Sequence, residues 1–344
     1  MQQKVAIVAT VRNIGRPLNS FIRYHLAIGF DHLFLFFDDP NDPSIADALT
    51  FDRVTVIQHD KILREKWKKG KLYASLAEFI ELEAMARQQL NAEVAIQLAL
   101  ERQFDWALHI DGDELFYSPH QTVAEHFKSL RARNVQVAEY FNYEAIPERV
   151  DIHDYFVEAT LFKQNLLGMS EQWLDEKKRK LILNVPQLTN RFFLFYMGSK
   201  SSVRLSDSVV PAGPHEFHIV KDGRTMKITK SADGEKAPMI LHYPCCGLEH
   251  FWNKYVTLGT FGDKWYGKVD IANAVPFHLK ARDVVARGNK QAAREFYEKQ
   301  VVISDESQVR QLIAEGLCLR IHEPSRLILR ETSSLNEPSV RASH

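Results

Sequence analysis

Three observations predict an α/β fold. Residues 5–10 (Val-Ala-Ile-Val-Ala-Thr) are a continuous apolar run, the pattern of a strand buried on both faces. A helical stripe and a second apolar strand follow, which makes a β-α-β unit. Further on, the apolar stretch Trp106-Ala107-Leu108-His109-Ile110 runs directly into Asp111-Gly112-Asp113-Glu114, so a core strand ends in acids.

The elements follow in order. Residues 11–16 form a polar loop. Pro17 opens a helix, where its missing N–H costs nothing. Leu18, Phe21, Ile22, His25 and Leu26 recur at helical spacing, and Gly29 ends the helix. The strand over 32–37 leads into Asp38 and Asp39. Acids at that end of a strand lie where open α/β sheets bind ligands, although a Pro/Asn/Asp turn accounts for the same residues. A third strand covers 54–58 and ends at His59-Asp60. Residues 61–104 read as mostly helical. Their basic run 64–71 is a solvated face or a flexible lip. Leu90, Val94 and Leu98 form a buried stripe with Arg87, Gln88 and Asn91 nearby.

Past the acids, strands are expected over 135–143 and 155–162, and a charged helix or loop over 171–180. An apolar segment, 192–197, precedes Gly198-Ser199-Lys200-Ser201-Ser202-Val203-Arg204. Small residues with a lysine and an arginine make a weak phosphate-cradle signal. His215 and His242 follow. An amphipathic helix is expected around 251–255 and helices over 280–318. The serine-rich stretch 331–344 reads as a disordered tail.

Composition narrows the function classes. Lys+Arg and Asp+Glu both number 44. Zero net charge argues against a dedicated nucleic-acid binder, whose affinity needs basic excess. The three cysteines, Cys245, Cys246 and Cys318, show no disulfide framework, which favours a reducing compartment. No apolar run is long enough to span a bilayer, and the chain enters a strand at once, without a signal-peptide pattern. The expectation is a soluble, cytoplasmic protein, with membrane association at most peripheral.

The acid stretch carries the chemistry. Strand alternation puts His109, Asp111 and Asp113 on one side if the extended geometry continues. Gly112 lets the backbone turn or approach a ligand. Carboxylates packed this densely repel unless a cation relieves them, and oxygen-rich sites suit Mg2+ or Mn2+. A bare Asp-x-Asp is also a common solvated turn. The apolar strand before it, and Leu115-Phe116 after it, place this one at the edge of a core.

Asn13, the segment Ile22-Arg23-Tyr24-His25-Leu26-Ala27-Ile28-Gly29-Phe30-Asp31-His32, and Trp106 to Phe116 resemble the family 2-like and family 92 glycosyltransferases. Lys200 to Arg204 and His242-Tyr243 resemble later blocks of that group. Two positions depart from the pattern: Ile14 replaces the usual acid after Asn13, and Ser20 stands where a Glu is usual. The resemblance implies a GT-A fold, a Rossmann-like mixed sheet flanked by helices, over residues 1–260. A mostly helical C-terminal extension over 261–330 and the tail, 331–344, complete the division.

It also implies metal-dependent transfer of a sugar from a nucleotide-sugar donor to a hydroxyl of a glycan or glycoconjugate acceptor, with inversion. Asp111, Asp113 and His242 are the expected ligands of Mn2+ or Mg2+, with His242 preferred to His215. Lys200 and Arg204 are expected on phosphate. Glu216 is the expected base, chosen for its place between the phosphate loop and the late histidine, with Glu114, Glu171 and Asp175 as alternatives. Arg12, Asn13, Asp38, Asp39, Asp60, Gln88 and Asn91 are expected around the nucleotide. Two other readings compete. One is a two-His-one-carboxylate Fe(II) oxygenase using His109, Asp111 and a distant histidine. The other is a non-catalytic relative that binds sugar or protein.

Overall fold

A computed structural model describes residues 3–167, 169–188, 191–221, 224–227, 230–231 and 237–336. The first strands are β1 (Val5–Val11), β2 (His32–Phe37), β3 (Val54–Gln58) and β4 (Trp106–His109). They pair in parallel in the order β3-β2-β1-β4, one half of a doubly wound sheet. Alternation explains the continuous apolar runs. Ile7, Leu33 and Leu35 enter the core on one face, while Ala6, Val8, Phe34 and Phe36 enter the core on the other. Each large side chain buried this way contributes about 1.5–3 kcal/mol.

The sheet then turns mixed. β5 (Glu114–Tyr117), β6 (Val137–Ile146), β7 (Leu161–Lys163) and β8 (Ser199–Arg204) follow. β8 runs antiparallel between β4 and β6. The strand Met239–His242 lies parallel to β6 and antiparallel to β5. Helices flank this sheet, so the fold is the expected mixed α/β class.

Three expectations change. Residues 155–162 are not one strand: Tyr155–Glu158 is a helical turn, started by the Asp154 carboxylate accepting from Phe156 N–H, and only β7 is extended. Cys318–Arg320 is an edge strand against β7, so the helical extension also enlarges the sheet. The last helix, Glu323–Asn336, packs on the helices Pro17–Ala27 and Tyr155–Glu158, so ordered chain continues into the supposed tail. Residues 337–344 of that expectation lie outside the described residues. Among the described residues no helix is long and apolar enough to cross a membrane. All three cysteines are buried and unpaired.

Candidate active site

The acids sit where β4 leaves the sheet. The strand stops at His109, and Glu114 N–H donates to the Asp111 carbonyl at 3.1 Å, closing a turn over Gly112 and Asp113. The extended alternation expected through Asp113 therefore breaks at Gly112. A Cβ on Gly112 would lie 2.2 Å from Ile14 Cδ1 and 3.0 Å from Val11 Cγ1, so the turn packs against the β1 end without room for a side chain. The two aspartates leave the turn toward different partners.

Asp111 meets Lys200. β8 pairs with β4 in the register His109↔Ser201, which carries Lys200 just past the strand end. Its Nζ lies 2.6 Å from Asp111 Oδ2 and 3.4 Å from Glu114 Oε2. Gln88 donates to Asp111 Oδ1 at 2.8 Å. Burial opposes ionisation of Asp111, but Lys200 holds its carboxyl well below the usual range. Glu114 takes the opposite course. Burial, helped by the charges of Asp111 and Asp113, outweighs Lys200 and pushes it up to about 8. The lysine ammonium is held above its usual pKa by Asp111 and Glu114 despite its burial.

Asp113 meets Lys254, on the helix Leu248–Leu258. Lys254 Nζ donates to Asp113 Oδ2 at 2.9 Å and to the Pro244 carbonyl at 2.9 Å, and lies 5.0 Å from the Phe195 ring centroid. The register His242↔Glu114 brings His242 to the same acid, with Nε2 at 3.8 Å from Asp113 Oδ1. That is too long for a hydrogen bond, and the buried His242 Nδ1 has no hydrogen-bond partner. Burial opposes ionisation of Asp113 too, and Lys254 and His242 lower its pKa. His215 Nδ1, His250 Nδ1 and His109 Nε2 are likewise buried without a hydrogen-bond partner.

A second cluster lies at the end of β2. Arg87 grips Asp38 through Nε at 2.5 Å and Nη2 at 2.8 Å, with Arg12 and His59 each 3.6 Å away. Burial works against the Asp38 charge, yet His59 and Arg87 hold the carboxyl below its usual range. The helix Ala84–Glu101 links both clusters: Arg87 reaches Asp38, Gln88 reaches Asp111, and Asn91 donates to Thr10 Oγ1 at 3.0 Å. Asn13 occupies the left-handed region at φ 52°, and its N–H donates to Asp42 Oδ2 at 2.5 Å.

The structure thus gathers Asp111, Asp113, Lys200, His242 and Gln88, with Arg12, Asn13, Asp38 and Asn91 along the same strand ends. Arg204, Asp60 and Asp39 fall elsewhere, and Glu216 stands at the border of the cluster, one residue from His215. Arg204 sits opposite Trp106, at the far end of β4 from the acids, so it is no phosphate partner of Lys200. Asp60 caps the helix Lys61–Lys68 by accepting from Leu63 N–H at 2.8 Å. Asp39 closes its own turn by accepting from Asn41 N–H. Glu216 is paired with Lys227 Nζ at 2.7 Å on the strand Glu216–Lys221. Its neighbour His215 lies nearer the acids: its carbonyl accepts from the Ser201 hydroxyl at 2.8 Å, and Asp111 and Lys200 both act on its charge. Lys254 and Arg87 were not expected as site residues. The signal for Lys254 was a cation one turn from Phe251 and beside Tyr255 on an apolar helix face.

No protein-family model matches the chain. A glycosyltransferase-like protein of Arabidopsis thaliana is 27% identical over 329 residues, covering 90% of this chain and 69% of that protein. A second from the same plant is 27% identical over 341 residues, covering 94% of this chain and 63% of its own length. The chain is related to glycosyltransferase-like proteins. It spans about two thirds of the length of these relatives. Among solved structures, mannosyltransferase Ktr4p from S. cerevisiae in complex with GDP is similar at 13% identity and TM-score 0.28, covering 42% of this chain and 41% of that one. Core-mannan synthase A from Aspergillus fumigatus, in its Mn/GDP form, gives 13% and 0.30, with 60% and 62% covered. Glucosyl-3-phosphoglycerate synthase from Mycobacterium tuberculosis, with Mn2+, UDP and glucosyl-3-phosphoglycerate, gives 13% and 0.25, with 59% and 57% covered.

Proposed function

We propose that the chain is a glycosyltransferase that moves a sugar from a nucleotide-sugar to an acceptor hydroxyl of a glycan or glycoconjugate, with inversion. The observation that carries this reading is the Asp111-Gly112-Asp113 turn at the carboxyl edge of a parallel sheet, its two carboxylates kept ionised by separate lysines, one buried and one half-buried. Relatedness to glycosyltransferase-like proteins supports it.

The donor set suits a hard divalent ion in kind. Asp111 and Asp113 supply carboxylate oxygens, and His242 offers an imidazole that faces Asp113 without bonding it. Among the described residues no three His, Cys, Asp or Glu side chains are already gathered into a metal cage. Lys200 and Lys254 account for that, since each holds one aspartate. Mn2+ or Mg2+ held by Asp111, Asp113 and His242 would offset the charge of the departing diphosphate.

The chain's own groups take the other roles. Lys200 supplies positive charge at the diphosphate. Arg12, Asn13 and Asp38 border the nucleotide at the ends of β1 and β2, and the buried Asn91, its amide engaged by Trp67 and Thr10, fixes the helix behind them. Glu216, next to His215, is assigned the base that takes the acceptor's proton once Lys227 releases it. Glu216→Gln should then keep donor affinity and lose transfer by a hundredfold or more; transfer near the wild-type rate puts the base elsewhere. The buried, unpaired cysteines fit a cytoplasmic setting. The iron-oxygenase reading is not favoured, because the fold is a helix-flanked α/β sheet and not a β sandwich.

A thermal-shift screen of nucleotide-sugars with Mn2+ tests the function. A ligand that binds only the native state raises the melting temperature. A rise with at least one nucleotide-sugar is expected, and no rise with any would contradict the assignment.

A further inference from the structure

We propose that Lys254 is the resident counter-cation of Asp113, and that its transfer to the donor's diphosphate admits the divalent ion. The inference rests on the metal-assisted reading above and adds a coupling between ion and nucleotide. Lys254 Nζ donates to Asp113 Oδ2 at 2.9 Å, on the acid that His242 faces from 3.8 Å. An ammonium and a divalent ion repel, so they cannot share that carboxylate at low cost. The ion therefore binds against Lys254 whenever Lys254 has nowhere else to go.

The two lysines of the site are not equivalent. Lys200 is 1% exposed and spans two acidic side chains, Asp111 and Glu114, so Glu114 keeps it paired in place when Asp111 turns to the ion. Lys254 is 21% exposed, and Asp113 is its one acidic ion-pair partner among the described residues; its other contacts are the Pro244 carbonyl and the Phe195 ring. Its partial exposure and single acidic partner hold it less firmly than Lys200. A diphosphate arriving beside the turn offers oxygens that carry more charge than one carboxylate. Lys254 moves to them, Asp113 and His242 turn to the ion, and each ligand strengthens the other's binding. Linkage makes that effect reciprocal.

The test is Mn2+ binding, read by calorimetry and by the electron paramagnetic resonance of free Mn2+, with and without UDP or GDP. Wild type should bind Mn2+ weakly alone, and at least tenfold more tightly with one of the nucleotides. Lys254→Met keeps the apolar stem against Phe195 and removes the competing charge. It should bind Mn2+ alone at least tenfold more tightly than wild type and lose most of the nucleotide enhancement. Lys254→Arg keeps the charge and should behave like wild type, which separates competition from packing. If Lys254→Met, shown by circular dichroism to be folded, binds Mn2+ alone no better than wild type, the inference is overturned while the metal-assisted reading stands. If no variant binds Mn2+ with either nucleotide, both fall.

Discussion

His25 and His126, built into the core in their neutral form, should by themselves cost about 4 kcal/mol of stability between pH 7 and pH 5. His25 is fully buried; its Nε2 accepts from Phe116 N–H at 3.2 Å, so Nδ1 carries the proton and donates to the Phe21 carbonyl at 2.9 Å. Protonating Nε2 would break the first of these bonds. Burial lowers the His25 pKa to about 3. His126 is 2% exposed, lies 2.9 Å from the Tyr140 hydroxyl, and is lowered to about 4 by burial and by Arg133. The unfolded chain takes up these protons near pH 6.5. The stabilising difference is therefore whole above pH 6.5 and is lost as the pH falls toward 4. Urea denaturation at pH 7 and pH 5 checks this, and a change below about 1 kcal/mol would show that these side chains charge without penalty.

Lys163→Met should cost about 3–5 kcal/mol, the usual loss when one partner of a buried ion pair is removed. Lys163 Nζ lies 2.6 Å from Glu144 Oε1, with the side chains 3% and 1% exposed. Glu144 also accepts from the N–H groups of Leu194 and Phe195, so it fastens the apolar segment before β8 to β6. Without the lysine, a buried carboxylate keeps two backbone donors and no counter-charge. The effect reaches the site, because Phe195 packs on Lys254 and His242 pairs with Glu144 across strands. A chevron or urea titration that places the variant within 1 kcal/mol of wild type would contradict this account.

Much of the first half of the chain was legible because its signals are local. Continuous apolar runs, Pro17 and Gly29 mark β1, the helix Pro17–Ala27 and β2 without reference to anything distant. Asp111 and Asp113 could be named because they end an apolar strand, whereas Lys200 and His242 were reached through the resemblance to later blocks of the glycosyltransferase pattern. Their geometry was not legible. Alternation implied an extended path through Asp113, but the chain turns at Gly112, where Ile14 and Val11 crowd the place a side chain would take. The antiparallel register of β8 separates Lys200 from Arg204, which no local pattern records. Lys254 was overlooked because its partner lies 141 residues away, so its helix reads as a surface amphipath. Residues 155–162 have strand-like side chains, and the Asp154 cap overrides that propensity at Tyr155–Glu158.

The central claim is that Asp111 and Asp113 grip a cation that in turn grips an activated sugar's diphosphate. The most direct measurement is calorimetric titration of Asp113→Ala with Mn2+ and the nucleotide-sugar that stabilises wild type. Loss of at least a hundredfold in Mn2+-dependent affinity is predicted, in a variant that still unfolds cooperatively. Binding as tight as wild type, still dependent on Mn2+, would contradict the account.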